Sequence, residues 1–193
     1  MIMLRPSARE QIVQAGLKCL AKKGFNGVGV QDITDAAGVP KGSFYNHFES
    51  KEALGAEIVE RYGADKRRRE LLADKSIPPL ERLRRHYERL NAIFVEAKFE
   101  RGCILGNFSA ELANQSDVIR DSLRRLYERW TKDVEATIAE AQEQGAVAKT
   151  LTAAELAAFL LDAYEGALLR ARVERDGHAF ERFMKFAFTK LLV

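Results

Sequence analysis

Apolar residues recur at intervals of three or four positions along most of the chain, and the strict alternation typical of a half-buried strand is hard to find. The first stripe follows Ser7, which with Glu10 resembles a capping box, and it ends at Lys22-Lys23-Gly24, a cation-then-glycine signal for a helix end. The chain has only 13 glycines and 4 prolines. The pattern predicts an all-α protein of about nine helices.

Three short helices are predicted within the first fifty residues, the second over Val30–Ala37 and the third over Lys41–Phe48. A fourth helix restarts at Glu49-Ser50-Lys51 and runs into the charged stretch Lys66–Glu70. We therefore predict a helix-turn-helix head over residues 1–50, joined by this fourth helix to a helical body over residues 51–193.

Five more amphipathic helices are predicted in the body, after the Pro78-Pro79 break, with Ser116 and Thr152 as caps and Gly145 as a helix end. The last helix has an apolar face over Phe180–Leu192 that is wider than packing onto one neighbour requires. The helix before it carries small residues that allow close packing. These are Ala157, Ala163, Gly166 and Ala167. We predict a homodimer formed by the last two helices.

Composition excludes several classes of protein. Of 193 residues, 47% are apolar and 31% are charged, which excludes a disordered tail and a collagen-like chain. No window holds 18 consecutive apolar residues and the amino terminus has no apolar signal region, so we expect no membrane span and a cytoplasmic location. Cys19 and Cys103 are expected to be reduced thiols. Three histidines in separate segments give no metal-ligand spacing, and neither a metal nor a cofactor is expected.

The net charge of +3 is modest, but the excess is local. Residues 1–51 contain seven Lys/Arg and four Asp/Glu, whereas residues 52–193 contain 24 of each. A basic head on a neutral body is typical of a small DNA-binding domain carried by a regulatory or dimerising body.

The segment Val30–Lys51, VQDITDAAGVPKGSFYNHFESK, has the pattern of a helix-turn-helix. Gly38 stands where the turn needs a positive φ, and Phe44 and Phe48 are expected in the head core. Four residues are expected to lock the two helices together, namely Ile33, Ala37, Val39 and Phe44. The second helix presents donors suited to phosphates and base edges. These are Lys41, Ser43, Tyr45, Asn46 and His47.

The run GVPKGSFYNHFESKEAL resembles the recognition segment of the TetR family of one-component bacterial repressors. The resemblance extends back over QDITDAAG and the first helix, and it covers the rest of the chain in length and helix pattern. It implies a homodimer whose heads bind half-sites of a pseudo-palindromic double-stranded operator, and a small-molecule effector bound in the body. It also implies a bacterial cytoplasmic protein, associated with the nucleoid when bound to its operator.

Carried over by position, the resemblance implies two sets of DNA contacts in the head. Bases are expected at Gln31, Lys41, Gly42, Tyr45 and Asn46. Phosphates are expected at Ser43, His47 and Lys51, and often at Tyr45 as well. Lys51 also begins a helix, where the positive end of the dipole favours a phosphate.

Cys103 lies in the run RGCILGNFSAEL and opens a helix, where free backbone N–H groups favour the thiolate form. Cys19 fits an inert core residue. The run is similar to a TetR subgroup that includes the N-ethylmaleimide reductase repressor and acrylate-responsive regulators. There, a cysteine at this place senses electrophiles or lies beside the effector. The alternative is a small apolar residue that packs a helix start, and the residue type does not separate the two.

Aromatic residues from several body helices are candidates to line an effector pocket, together with Cys103 and the amide of Asn107. They are Phe94, Phe108, Tyr127, Trp130 and Tyr164. Each could equally be an ordinary core residue. Arg170 and Arg172 fit either surface pairing with Glu165 or Glu174, or contact with an anionic ligand or the Cys103 thiolate.

The sequence therefore favours a ligand-responsive DNA-binding repressor that is not an enzyme. Two alternatives remain. One is a cysteine-dependent enzyme that acts on small electrophiles, although no histidine is near Cys103 in sequence and no phosphate loop or paired carboxylates are present. The other is an effector-free architectural DNA-binding dimer.

Overall fold

A computed structural model of the protein describes residues 6–193, and within the range 66–69 it describes the backbone alone. All regular structure in this part of the chain is helical, which confirms the predicted fold class. The helices are α1 (Ala8–Lys23), α2 (Val30–Ala37), α3 (Lys41–Tyr45), α4 (Lys51–Ala64), α5 (Lys66–Ala73), α6 (Pro79–Glu96), α7 (Ile104–Leu112), α8 (Asp117–Glu143), α9 (Ala153–Glu174) and α10 (His178–Phe186), followed by a π-helical segment, Ala187–Leu191.

The prediction of one helix from Lys51 to Glu70 is wrong. The chain leaves the helical conformation at Asp65, so that α4 and α5 are separate helices and the described part of the chain has ten α-helices instead of nine. Gly63 and Asp65 explain the break, because glycine and aspartate both disfavour a helix interior.

Local capping signals explain where α1, α8 and α9 begin. Ser7 accepts a hydrogen bond from the Glu10 amide at 3.3 Å, and Ser116 accepts one from the Ile119 amide at 3.4 Å. Thr152 forms a full capping box with Glu155. These contacts confirm all three predicted caps.

The chain packs as two compact units. The first contains residues 6–63 and 103–126, and its buried core includes Ile12, Ile33, Phe44, Leu54, Ile58 and Phe108. The second contains residues 64–102 and 127–193, and its core is rich in aromatic rings. The predicted boundary at residue 50 divides a DNA-binding head from an effector-binding body, and this functional division stays a prediction. By packing, α7 and the first part of α8 belong to the same unit as the head.

Candidate functional site

The turn between α2 and α3 is built as predicted. Gly38 adopts a left-handed conformation, with φ 67° and ψ 34°, and its N–H donates to the last carbonyls of α2. The Val39 amide donates to the Thr34 carbonyl at 3.1 Å, which completes a glycine helix end. Pro40 then precedes the first residue of α3, where a missing N–H costs no helical hydrogen bond.

Buried residues lock the two helices together. Ile33 and Phe44 are fully buried, and Ala37 and Val39 are half-buried. Phe48 is also buried, with its ring centroid 5.6 Å from that of Phe44. The expectation that both phenylalanines belong to the head core is confirmed.

The predicted DNA-contacting side chains lie mainly on the open surface of the head. Six are exposed, namely Gln31, Lys41, Gly42, Tyr45, Asn46 and His47, and two are half-buried, namely Ser43 and Lys51. The Tyr45 side chain is 57% exposed while its ring edge packs on Phe44, so an aromatic donor is held outward by the core beneath it. Gln31 donates to the Asp35 carboxylate at 2.7 Å, which orients its amide.

Lys51 has a structural role that the sequence did not indicate. Its ammonium donates to the carbonyls of Phe25 and Val28, at 3.1 and 2.8 Å, and lies 4.2 Å from the centroid of the Phe25 ring. The first residue of α4 is thereby attached to the loop between α1 and α2. A phosphate contact by Lys51 stays a prediction.

Cys103 is the N-cap residue of α7 and is buried, with 6% of its surface exposed. Its Sγ lies 3.6 Å from the hydroxyl oxygen of Tyr62, on α4. Sequence reasoning missed Tyr62, because 41 positions separate the two residues and no local pattern connects them.

Two further effector candidates, Asn107 and Phe108, belong to the same unit. The Asn107 amide donates to the Ala21 carbonyl at 3.4 Å, and Phe108 is fully buried with its ring edge-on to Phe25 at 5.5 Å. Both side chains thus contact the end of α1 and the loop that follows it.

The remaining candidates lie in the second unit, and three of them belong to an aromatic cluster. Trp130 donates to Nε2 of His86 at 3.1 Å, and its ring centroid is 6.3 Å from that of Tyr164. Phe94 packs on Phe180 at 6.3 Å. Tyr127 is half-buried. Four further rings belong to this cluster and were not predicted from the sequence, namely His86, Tyr87, Phe180 and Phe183.

The face predicted to form the dimer carries a groove whose lining only partly matches the predicted residues. A groove of about 550 Å³ runs between α9 and α10. It is lined by Phe159, Leu160, Ala163, Gly166, Ala167, Arg170, Ala179, Arg182, Phe183, Phe186, Ala187, Lys190 and Leu191. Three of the four predicted small residues line it. Ala157 does not, because it is fully buried in the core, as are Phe188 and Leu192. Phe159 and Phe186 are 59% and 60% exposed, and they form the outward apolar surface.

One cation that lines the groove is paired within its own helix. Arg170 forms an ion pair with Glu174 at 2.6 Å. Surface pairing of this kind was one of the two alternatives predicted for Arg170. The described residues contain no cluster of three or more His, Cys, Asp or Glu that could hold a metal ion. None of the helices in the described part is long and apolar enough to cross a membrane.

Comparison with known proteins gives two family matches. Residues 12–58 match the family described as bacterial regulatory proteins, tetR family, and residues 79–187 match the tetracyclin repressor-like C-terminal domain. The HTH-type transcriptional repressor DhaR of Mycobacterium sp. is 41% identical over 192 residues, which cover 98% of this chain and 95% of DhaR.

Two solved structures share the fold over nearly their whole length. A regulatory protein TetR from Rhodobacter sphaeroides is 32% identical with a TM-score of 0.89, over 94% of this chain and 97% of that protein. The reduced form of Escherichia coli NemR is 25% identical with a TM-score of 0.86, over 97% and 98%.

Proposed function

This chain belongs to the TetR family of transcriptional regulators, and on that premise we propose that it is a ligand-responsive repressor that releases a double-stranded operator when a small molecule binds its body. Regulators of this family bind operator DNA and act as dimers. The observation that carries the proposal is the donor-rich open face of α3, held outward on a buried Phe44 in the basic part of the chain. We place its action in the bacterial cytoplasm, where an operator lies.

The groove between α9 and α10 supports a dimer formed by these two helices. Two phenylalanines that each expose more than half of their surface would be covered by a second copy of the same face. Small residues along α9 allow its partner to approach closely. In such a dimer the two α3 helices must reach successive major grooves, about 34 Å apart.

For the effector, the proposal is an electrophile, such as an unsaturated carbonyl compound, that reacts with Cys103. The thiolate adds to the β-carbon, a C–S bond forms as the C=C π bond becomes an enolate, and the enolate takes a proton from water. An adduct on Sγ needs space beside the Tyr62 hydroxyl, 3.6 Å away. Tyr62 lies on α4, which begins at Lys51, six residues after the end of α3, so displacement of Tyr62 would act on the head.

Release of the operator requires a large shift in the equilibrium between the DNA-bound and the released state. Moving operator occupancy from nearly full to nearly empty requires the effector to favour the released state by about 5.5 kcal/mol. A covalent adduct supplies that energy if it fits only the released arrangement of the body, whereas a weak surface contact does not. A ligand held without a covalent bond in the aromatic cluster of the second unit, around Trp130 and Tyr164, is the other form of the same function.

The test begins with a DNA duplex selected by the wild-type protein from a random-sequence pool. Binding to it is measured with and without N-ethylmaleimide, and the mass of the protein is recorded in parallel, for the wild type, Cys103→Ser and Cys19→Ser. We expect operator release in the wild type and Cys19→Ser, each with an adduct on Cys103, and no release in Cys103→Ser. Equal release of Cys103→Ser would rule out the thiol as sensor, and continuous turnover of the reagent would indicate an enzyme.

A further inference from the structure

Helix α7 holds the end of α1 with one face. Glu111 lies three positions after Phe108 and four after Asn107, so its side chain neighbours both of theirs on the surface of α7. Asn107 donates to the carbonyl of Ala21, in the last turn of α1. The Phe108 ring packs edge-on against Phe25, in the loop after α1.

Glu111 binds the backbone of that loop directly. Its two carboxylate oxygens accept the amides of Phe25 and Asn26, at 3.1 and 2.7 Å. Hydrogen bonds to an ionised acceptor are the stronger kind. The preceding residue is Gly24, with φ 78°, and a Cβ at this position would overlap a Glu111 oxygen. The loop is therefore shaped to receive this carboxylate.

Lys51 binds the same loop through its carbonyl groups, whereas Glu111 binds the amides. The Phe25 residue that donates its N–H to Glu111 gives its carbonyl to the Lys51 ammonium, and Val28 gives a second carbonyl. Residues 24–28, which we name the strut loop, thus connect α7 with the first residue of α4. Two residues after the strut loop, Val30 begins α2 of the helix-turn-helix.

We propose that Glu111 is a positioning residue for operator binding. Through the strut loop it fixes where α2 and the start of α4 stand, and so how α3 is presented to DNA, although Glu111 contacts no DNA itself. This inference rests on the proposed function for its biological meaning. It gives α7, whose N-cap is Cys103, a route to the head that does not pass along α4.

The sign of the effect separates this role from simple electrostatics. Removing a carboxylate from a DNA-binding protein should strengthen binding if charge alone matters, because the phosphate backbone is negative. The strut loop predicts the opposite. We expect Glu111→Ala to weaken operator binding about tenfold, the scale of one lost charge-assisted hydrogen bond. Glu111→Gln keeps an acceptor oxygen without the charge and should fall between Glu111→Ala and the wild type.

The experiment uses the full-length protein and the duplex selected by the wild type, at fixed salt concentration. Glu128→Ala, which removes an exposed carboxylate from α8, is the matched control and should leave affinity within about twofold. Amide hydrogen exchange is measured on the DNA-free proteins, and in Glu111→Ala the Phe25 and Asn26 amides should exchange faster while those of α3 stay protected.

Unchanged or stronger operator binding by Glu111→Ala overturns the inference. Weaker binding with unaltered exchange at Phe25 and Asn26 also overturns it, because the loss would then not pass through the strut loop. If the wild type selects no duplex at all, the proposed function fails instead, while the exchange measurement still reports on the strut loop.

Discussion

The phenol rings of Tyr87 and Tyr164 lie 5.1 Å apart in the core of the second unit, but their hydroxyl groups differ. The Tyr164 hydroxyl donates to Oδ1 of Asn91 at 3.0 Å. The Tyr87 hydroxyl is buried with no hydrogen-bond partner in the part of the chain that the structure describes. Burial also raises the pKa of Tyr87 above its ordinary value.

This contrast predicts opposite effects for two conservative substitutions. Tyr87→Phe removes a hydroxyl that makes no bond, so the free energy of unfolding should stay the same or rise by up to about 1 kcal/mol. Tyr164→Phe should lower it by about 1 kcal/mol, because the Asn91 carbonyl loses its donor. Urea unfolding at one protein concentration measures both. A loss in Tyr87→Phe as large as that in Tyr164→Phe would contradict the prediction.

A second prediction concerns acid stability. Arg82 is fully buried, and its Nη2 forms an ion pair with Glu140 at 2.6 Å. Hydrogen bonds from Arg82 and then Lys75 lower the pKa of Glu140 to about 2. Because the folded carboxylate holds its proton less tightly than the unfolded one, this stabilisation is complete above the ordinary pKa of 4.5 and is lost as the pH falls towards 2.

We therefore expect Glu140→Gln to be clearly less stable than the wild type at pH 7, and the difference to shrink as the pH falls through about 4. Thermal unfolding between pH 3 and pH 7 measures this. Glu143→Gln, three residues further along α8 at an exposed position, is the control and should follow the wild type throughout. A Glu140→Gln deficit that does not change with pH would show that packing, not charge, is lost.

Short-range signals explain which parts of the fold could be predicted from sequence. Gly38, Ser116 and Thr152 act on residues within four positions, and the turn and caps they predict are present. The open face of α3 follows from the same local pattern. By contrast, Lys98 and Phe99 adopt positive φ after α6 with no glycine to signal it.

Long-range contacts explain what the sequence could not predict. Glu111 and Phe25 are 86 positions apart, and Tyr62 and Cys103 are 41 apart, so no local sequence pattern indicates either contact. The small residue Ala157 suited close packing with a second copy, but which side of a largely apolar helix faces the core depends on the neighbouring helices. In the folded chain Ala157 is buried.

The dimer face gives a third prediction. Phe186→Asp replaces an exposed apolar side chain of the groove between α9 and α10 with a carboxylate, so burial against a second copy becomes costly. We expect sedimentation at micromolar concentration to show a dimer for the wild type and a monomer for Phe186→Asp, whose operator binding should also fall. Val118→Asp, at a 63% exposed position outside the groove, is the control and should remain dimeric. A monomeric wild type would refute the interface.

Gly42 gives a fourth prediction about the head. A Cβ at this position meets no atom within 4 Å, so alanine fits the free protein without strain. Helix propensity favours alanine over glycine by about 1 kcal/mol, and stability should not fall. If the backbone of α3 approaches DNA closely here, the added methyl group should weaken operator binding. Gly177→Ala, also in open space but outside the head, should bind normally. Normal binding by Gly42→Ala would place this residue away from the DNA.

The last prediction concerns the thiol. Tyr62 and Cys103 lie within hydrogen-bonding distance of each other, at 3.6 Å. When Cys103 is a thiolate, the Tyr62 hydroxyl can only donate to it, and this stabilises the reactive form. We expect Tyr62→Phe, in a Cys19→Ser background that leaves one thiol, to slow alkylation by N-ethylmaleimide several-fold at pH 7. Mass spectrometry of quenched reactions gives the alkylation rate, with Tyr127→Phe as the control. Faster alkylation would show instead that Tyr62 shields a thiol only 6% exposed, and that its displacement precedes the reaction.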